Sequence, residues 1–398
     1  MEKFVLMLKN EEILLFEVAF GEKIHAEFIE GLSAFTKAPV GIANETDPQE
    51  RDFALIKFLN SRCISPNRWD YFEILKRTKS ISGLELSFKG HGLSLSDHYW
   101  YKRVDEDLRY EDINFFENGF DDSFGKAILR SDYESLEEVN LNVPDVTTPG
   151  WAAKAWINEE DGPYLWKLGI HKGHGEESLG EVLASHLARR LFGEDEVLHY
   201  ELKEANGQFA SVSKCLVNID EELIPLAHAL PEHIVELSLM DKKNRDHVDT
   251  LLNALREGGF EDVYQIYVKM MCLRTLAFVN DFHFNNISMI RNLSTGRSRV
   301  APIYDLAGAF GGTEKGRQFL SKLDKGSLLL VYFAYGMLDE KWDYSWYDPQ
   351  KIEGFEDEIR EYLSESDFYS EELIDIILGV YRHQKKSLDN MAEKAKRG

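Results

Sequence analysis

"VNDFHFNN", residues 279–286, closes a long apolar stretch by packing an aspartate, a histidine and several asparagines into eight positions. The run before it, "VYQIYVKMMCLRTLAFVN" (263–280), has little polar face to offer water, so its pattern predicts a helix at the centre of the molecule. A polar burst at the end of a buried helix has two readings. It is a polar cap with incidental asparagines, or it is a set of side chains delivered from the core into a site.

The surrounding chain narrows the choice. With 398 residues, 43% of them hydrophobic and 12% aromatic, the protein has material for two or three domains with a large core. The formal net charge of -24 opposes direct contact with DNA or anionic membranes; it is compatible with a basic protein partner or with simple solubility. Cys63, Cys215 and Cys272 are far apart and fit no metal or redox spacing, which points to reduced thiols. Charges recur through "MEKFVLMLKNEEILLFEVAF" and exclude a signal-peptide core. No later run approaches the roughly 18 apolar residues of a membrane span. The expectation is a cytoplasmic protein.

Residues 1–60 read as mixed strand and helix, and "LELSFKGHGLSLSDHYWYKR" (84–103) as strands joined by glycine turns. The aromatic, acidic segment 108–129 reads as a packed connector, and the polar, proline-containing stretch 131–149 as a domain boundary. Beyond it come four strand-like runs, "WAAKAWIN" (151–158), "PYLWKLGI" (163–170), "EVLHYELKE" (196–204) and "QFASVSKCLVN" (208–218). One helix interrupts them, with Leu179, Val182, Leu183, His186, Leu187, Arg190 and Leu191 at single-face spacing. From about residue 220 the pattern is mostly helical, and the closing "AEKAKRG" is expected to fray. The fold class is therefore α+β, a small mixed sheet with one helix followed by a mostly helical lobe and preceded by an extra α/β region. The expected division is 1–135, 136–220 and 221–398.

Asp281 is followed five residues later by Asn286, and Asp305 stands 24 residues beyond Asp281 at the end of the strand-like "VAPIYD". A carboxylate to orient an attacking hydroxyl, an amide a few residues on and a second carboxylate on a strand are the parts that phosphoryl transfer requires around a hard cation. His283 reads as a hydrogen-bonding residue of the loop, since a carboxylate already fills the base role.

Asp281-x-His283-x-x-Asn286 followed by "PIYDLAG" resembles the HipA-like serine/threonine kinases. The resemblance implies a protein-kinase-like bilobal fold, ATP and Mg²⁺ as cofactors, Asp281 as the catalytic carboxylate, and Asn286 and Asp305 as Mg²⁺ ligands. Lys167, in a strand-like run, would clamp the ATP phosphates and pair with Glu177 or Glu181, the resemblance favouring Glu181. "TTPGWAAKAWI" (147–157) resembles the family's phosphate loop, with Gly150 and Lys154 facing ATP and Thr147 or Thr148 open to autophosphorylation. "SRCISPNRWD" and "GLSLSDHYW" resemble segments ahead of the kinase core in Gram-positive members. Family membership further implies a toxin acting on a protein substrate and neutralised by a small DNA-binding antitoxin.

Lipid kinases share the D-x-H-x-x-N loop, so a small-molecule or lipid kinase stands as the alternative, and a non-catalytic kinase-fold module as another. Two histidines in "GIHKGHG" (169–175), His171 and His174, lack further ligands and a fixed geometry for a metal; the loop could instead drape over a nucleotide.

Overall fold

The computed structural model describes residues 1–21, 25–169, 175–240, 244–279, 282–320 and 338–397. Asp281, His171 and His174 lie outside the described residues.

The N-terminal region contains β1 (Glu2–Leu8), β2 (Glu11–Ala19), β3 (His25–Gly31), α1 (Val40–Ala43), α2 (Pro48–Asn60), α3 (Tyr71–Arg77), α4 (Gly83–Lys89), β4 (Tyr99–Arg103), α5 (Tyr110–Ile113) and α6 (Ser123–Arg130). Its antiparallel sheet has the order β3-β2-β1-β4. Period-two alternation sends Phe4 and Leu6 of β1 to one face, where they meet Leu55 and Leu59 of α2 and Phe88 of α4. Val5 and Met7 go to the other face, against Trp100, Tyr110 and Phe115.

α2 begins where Asp47 accepts hydrogen bonds from the Gln49 and Glu50 amides and Pro48 presets the first turn. The segment 83–89, expected as strand, is helical. Ser82 caps it by accepting from the Glu85 amide at 3.2 Å, and Glu85 reaches back to the Ile81 amide at 2.7 Å. This reciprocal capping outweighs the alternating pattern.

The expected boundary 131–149 consists of short 3-10 turns. Leu136, Val143 and Val146 are buried in a core shared with Phe124 and Ile128 on one side and Ala155 and Val212 on the other. Polar residues there cover the outside of a packed joint.

Next come β5 (Lys154–Glu159), β6 (Gly162–Lys167), α7 (Glu176–Phe192), β7 (Tyr200–Ala205) and β8 (Gln208–Lys214), forming an antiparallel sheet of order β5-β6-β8-β7. α7 is buried around most of its circumference: Leu179, Leu183 and Leu187 face the helical core, while Glu177 and Glu181 are also buried.

The remainder holds β9 (Glu221–Pro225), α8 (Leu226–Ala229), α9 (Glu232–Ser238), α10 (Arg245–Glu257), α11 (Glu261–Ala277), β10 (Ser288–Asn292), β11 (Ser298–Val300), α12 (Glu314–Leu320), α13 (Phe355–Leu363) and α14 (Glu371–Arg397). α11 is the central helix: every residue from Tyr267 to Ala277 is buried. β11-β10-β9 form a small sheet that the sequence pattern did not reveal. α14 stays helical through Arg397, where fraying was expected, with Leu388 and Ala392 still seated in the core. The whole is α+β, with a four-stranded sheet and its one long helix α7 packed against a mostly helical region. Among the described residues no helix is long and apolar enough to cross a membrane.

Candidate active site

The site starts from strand register. Lys154 of β5 pairs with Lys167 of β6, and Lys167 pairs with Ser211 of β8, so three polar side chains stand in a row on one face. Two lysines directly opposite each other repel, and carboxylates must offset that.

α7 and the Asp305 turn supply them. Lys167 Nζ donates to Glu181 Oε1 at 3.0 Å and to Asp305 Oδ1 at 2.5 Å. Glu181 Oε2 accepts from Ser211 Oγ at 2.5 Å, and Oε1 also accepts from the Leu306 amide at 3.2 Å. Glu181 thus ties sheet, helix and Asp305 turn together with its carboxylate filled. Glu177 lines the same cleft, buried one turn earlier on α7.

Asp305 is brought in by a short clamp. Leu198 N donates to Ile303 O at 2.9 Å and Ile303 N to Glu196 O at 2.8 Å, an isolated parallel bridge where "VAPIYD" read as a short strand. Two residues on, Asp305 takes φ +56, a left-handed conformation that aspartate tolerates better than most residues, and its amide donates to Tyr200 OH at 3.0 Å. A close approach of α7 completes the arrangement: a Cβ on Gly180 would lie 2.3 Å from Ala309 O, so glycine beside Glu181 lets the turn after Asp305 pack against the helix.

The electrostatics follow from this geometry. Burial works against charge on Lys167, but Asp305 and Glu181 outweigh it and hold its pKa well above the ordinary value. Asp305 is held below the usual carboxylate range: burial opposes its charge, and Lys167, then Lys154, prevail. Lys154 has no such grip. Its Nζ donates to Pro149 O at 2.9 Å, and burial pulls its pKa down to about 8 despite the attraction of Asp305.

The 147–154 loop is braced by neutral contacts. Thr147 is buried and donates to Leu93 O at 2.6 Å and Pro144 O at 3.0 Å. Thr148 donates to Pro144 O at 2.8 Å and accepts from Trp156 Nε1 at 2.9 Å. Both hydroxyls are therefore engaged in this arrangement. Gly150 sits at φ +107, and a Cβ there would lie 2.5 Å from Lys154 Nζ.

Asn286 is buried beyond α11, and its backbone N–H donates to His283 O at 2.9 Å in a tight turn. Lys154, Lys167, Glu181, His283, Asn286 and Asp305 all line one cavity of about 1570 Å³. His283 is close enough to Asp305 to favour its ionised form. Sequence reasoning missed Ser211 and Tyr200, whose roles depend on pairings no local pattern announces.

The donor set fits a nucleotide and Mg²⁺. Two lysines and the Gly150 turn face one opening, suited to phosphate, and Asp305 with Asn286 offers oxygens to a hard cation. Among the described residues no group of three His, Cys, Asp or Glu could hold a metal. Mg²⁺ commonly keeps water and phosphate oxygens in most of its shell, so two protein ligands suffice.

Two solved structures resemble the chain. A Helicobacter pylori proinflammatory kinase, CtkA, has TM-score 0.43 and 15% identity over 61% of this chain and 94% of that one. HipA from the Shewanella oneidensis toxin–antitoxin system, in complex with HipB and operator DNA, has TM-score 0.42 and 12% identity over 99% of this chain and 97% of that one. No family model and no curated protein matches. Both TM-scores lie below 0.5, so any functional reading rests on the side chains of the cleft.

Proposed function

We propose that the chain is an ATP- and Mg²⁺-dependent kinase of the HipA-like type that transfers the γ-phosphate to a serine or threonine hydroxyl of a protein. The observation that carries this reading is Lys167 held between Glu181 at 3.0 Å and Asp305 at 2.5 Å in a deep cleft that Asn286 also lines. Phosphoryl transfer needs positioned charge more than covalent chemistry, and this arrangement provides it. Lys167 would hold the α/β-phosphates, with Lys154 and the Gly150 turn beside them. Asn286 and Asp305 would hold Mg²⁺, which when bound neutralises phosphate charge. Asp281 would orient the acceptor hydroxyl, a role assigned from the D-x-H-x-x-N motif.

The finer reading is a cytoplasmic toxin neutralised by a small DNA-binding antitoxin, with regions 1–135, 136–220 and 221–398 as N-terminal region, smaller lobe and larger lobe. It rests on the motifs, and co-purification with a helix-turn-helix protein from the adjacent reading frame tests it. For the activity, the chain is incubated with γ-labelled ATP, Mg²⁺ and protein acceptors. Label on a protein hydroxyl, lost in Asp281→Asn, is the expected result. Label on a small acceptor alone would favour a small-molecule or lipid kinase. No transfer, with Asp281→Asn binding nucleotide like wild type, would favour a non-catalytic module.

A further inference from the structure

The cavity is larger than the nucleotide it would hold, since small-ligand pockets typically occupy roughly 300–1,000 Å³. The excess runs away from Lys167 between two helices. On α2, Glu50, Phe53, Ala54, Lys57 and Phe58 line it, which is one face at helical spacing, while Leu55 and Leu59 turn into the N-terminal core. On the opposite wall, Glu232, Val235, Glu236 and Leu239 form the matching face of α9 and its end, while Ile234 turns into the main core. α1 and α8 close together beneath, where a Cβ on Gly41 would lie 3.6 Å from His228 Nδ1.

Two features of this groove call for a partner. Phe53 is 53% exposed and Leu239 is 76% exposed, although each neighbours well-packed core. Four carboxylates, Glu45, Glu50, Glu232 and Glu236, rim it against Lys57, and no ion pair among the described residues engages any of the four. Such a surface repels nucleic acid and, at a net charge of -24, a second copy of this chain. It complements a polypeptide carrying basic and apolar side chains.

Resting on the kinase reading above, we propose that the α2/α9 groove docks an extended segment of the acceptor protein, rich in Arg or Lys and Leu-like residues, and leads its hydroxyl into the cleft. The acceptor class is thus a basic, apolar polypeptide, and the N-terminal region acts as one wall of its binding site.

Fluorescently labelled 15-residue peptides test this by anisotropy with the full chain: a central Ser flanked by Arg and Leu, and the same peptide with Glu for Arg. The Arg/Leu peptide is expected to bind about ten-fold tighter, a typical gain from charge complementarity. The double reversal Glu50→Lys/Glu236→Lys should erase that preference while ATP affinity stays unchanged. Phe53→Ala/Leu239→Ala should weaken both peptides and retain the preference. Equal binding of the two peptides, a preference that survives the reversals, or dimerisation lost on reversal would overturn the groove's assignment. Phosphate transfer without charge preference would leave the kinase reading standing and remove the groove. Charge-selective binding without transfer would leave the docking surface and remove the kinase reading.

Discussion

Lys167 and Lys154 face each other across β5 and β6 in the same cleft, yet Lys167 is gripped by two carboxylates while Lys154 meets a backbone carbonyl. Neighbours and burial act in opposite senses. Lys167 is held above its ordinary pKa, a permanent charge fixed by β6, α7 and the Asp305 turn; Lys154 is pulled down to about 8, a charge that ordinary pH changes can remove. One side of the cleft is built as rigid charge and the other as a loop on neutral hydrogen bonds. Preorganised charge is what a phosphoryl-transfer site requires, and Lys154, at the start of β5 beside the Gly150 turn, is the cation free of a carboxylate clamp.

The largest way to break the contrast is at Lys167. Lys167→Met should lower phosphate transfer roughly 10³-fold, and Asp305→Ala should do likewise. The Asp305 side chain is only 26% exposed and is paired with Lys167. Its loss still leaves Lys167 on Glu181, so circular dichroism should show a folded chain. Unchanged transfer in either variant would remove the triad from the mechanism.

Glu181→Leu is next, and its effect is on stability as well as rate. The substitution strips an acceptor from Ser211 Oγ and the Leu306 amide, both buried, for a cost of about 2–3 kcal/mol. Urea unfolding should show it as a lower midpoint, with Glu177→Gln clearly milder.

Lys154→Met separates the two lysines through pH. Its charge is present below about pH 8 and lost as pH rises through that value. The variant should therefore bind ATP about ten-fold more weakly than wild type at pH 6.5, with the gap closing by about pH 9.5. Titrations with a fluorescent nucleotide at both pH values read this directly, and a constant gap would contradict the assignment.

The smallest effect concerns Asp145, under the loop. Burial pushes its carboxyl up to about 7, while Oδ1 accepts from Trp156 N at 2.9 Å. A folded pKa above the unfolded one gives stability that is fully present below about pH 4 and lost as pH rises through about 7. Asp145→Asn should lift Tm relative to wild type by about 1–3 °C more at pH 8 than at pH 5.

The contrast also explains what could be read from the chain alone. The apolar run 263–280 announced α11, and period-two strands with one amphipathic helix announced the smaller sheet and α7, because their signals are local and strong. Lys167 stood out as a charge inside a strand-like run, and Asp305 as one at the end of another. Three things were not legible. The helix at 83–89 was decided by the Ser82/Glu85 cap, which a strand-like alternation concealed. Ser211 and Tyr200 became site residues through pairings across many residues of chain. The burial of Glu181 comes from Ser211 of the sheet and the Leu306 amide after Asp305, contacts that lie far off along the chain.

If the Lys167–Glu181–Asp305 cluster positions ATP for transfer, incubation of the full chain and a protein acceptor with γ-labelled ATP and Mg²⁺, beside Asp305→Asn, will show it. Label on a serine or threonine hydroxyl is expected in the wild-type reaction and none with the variant. Equal labelling in both, or no labelling and no nucleotide binding by the wild type, would contradict it.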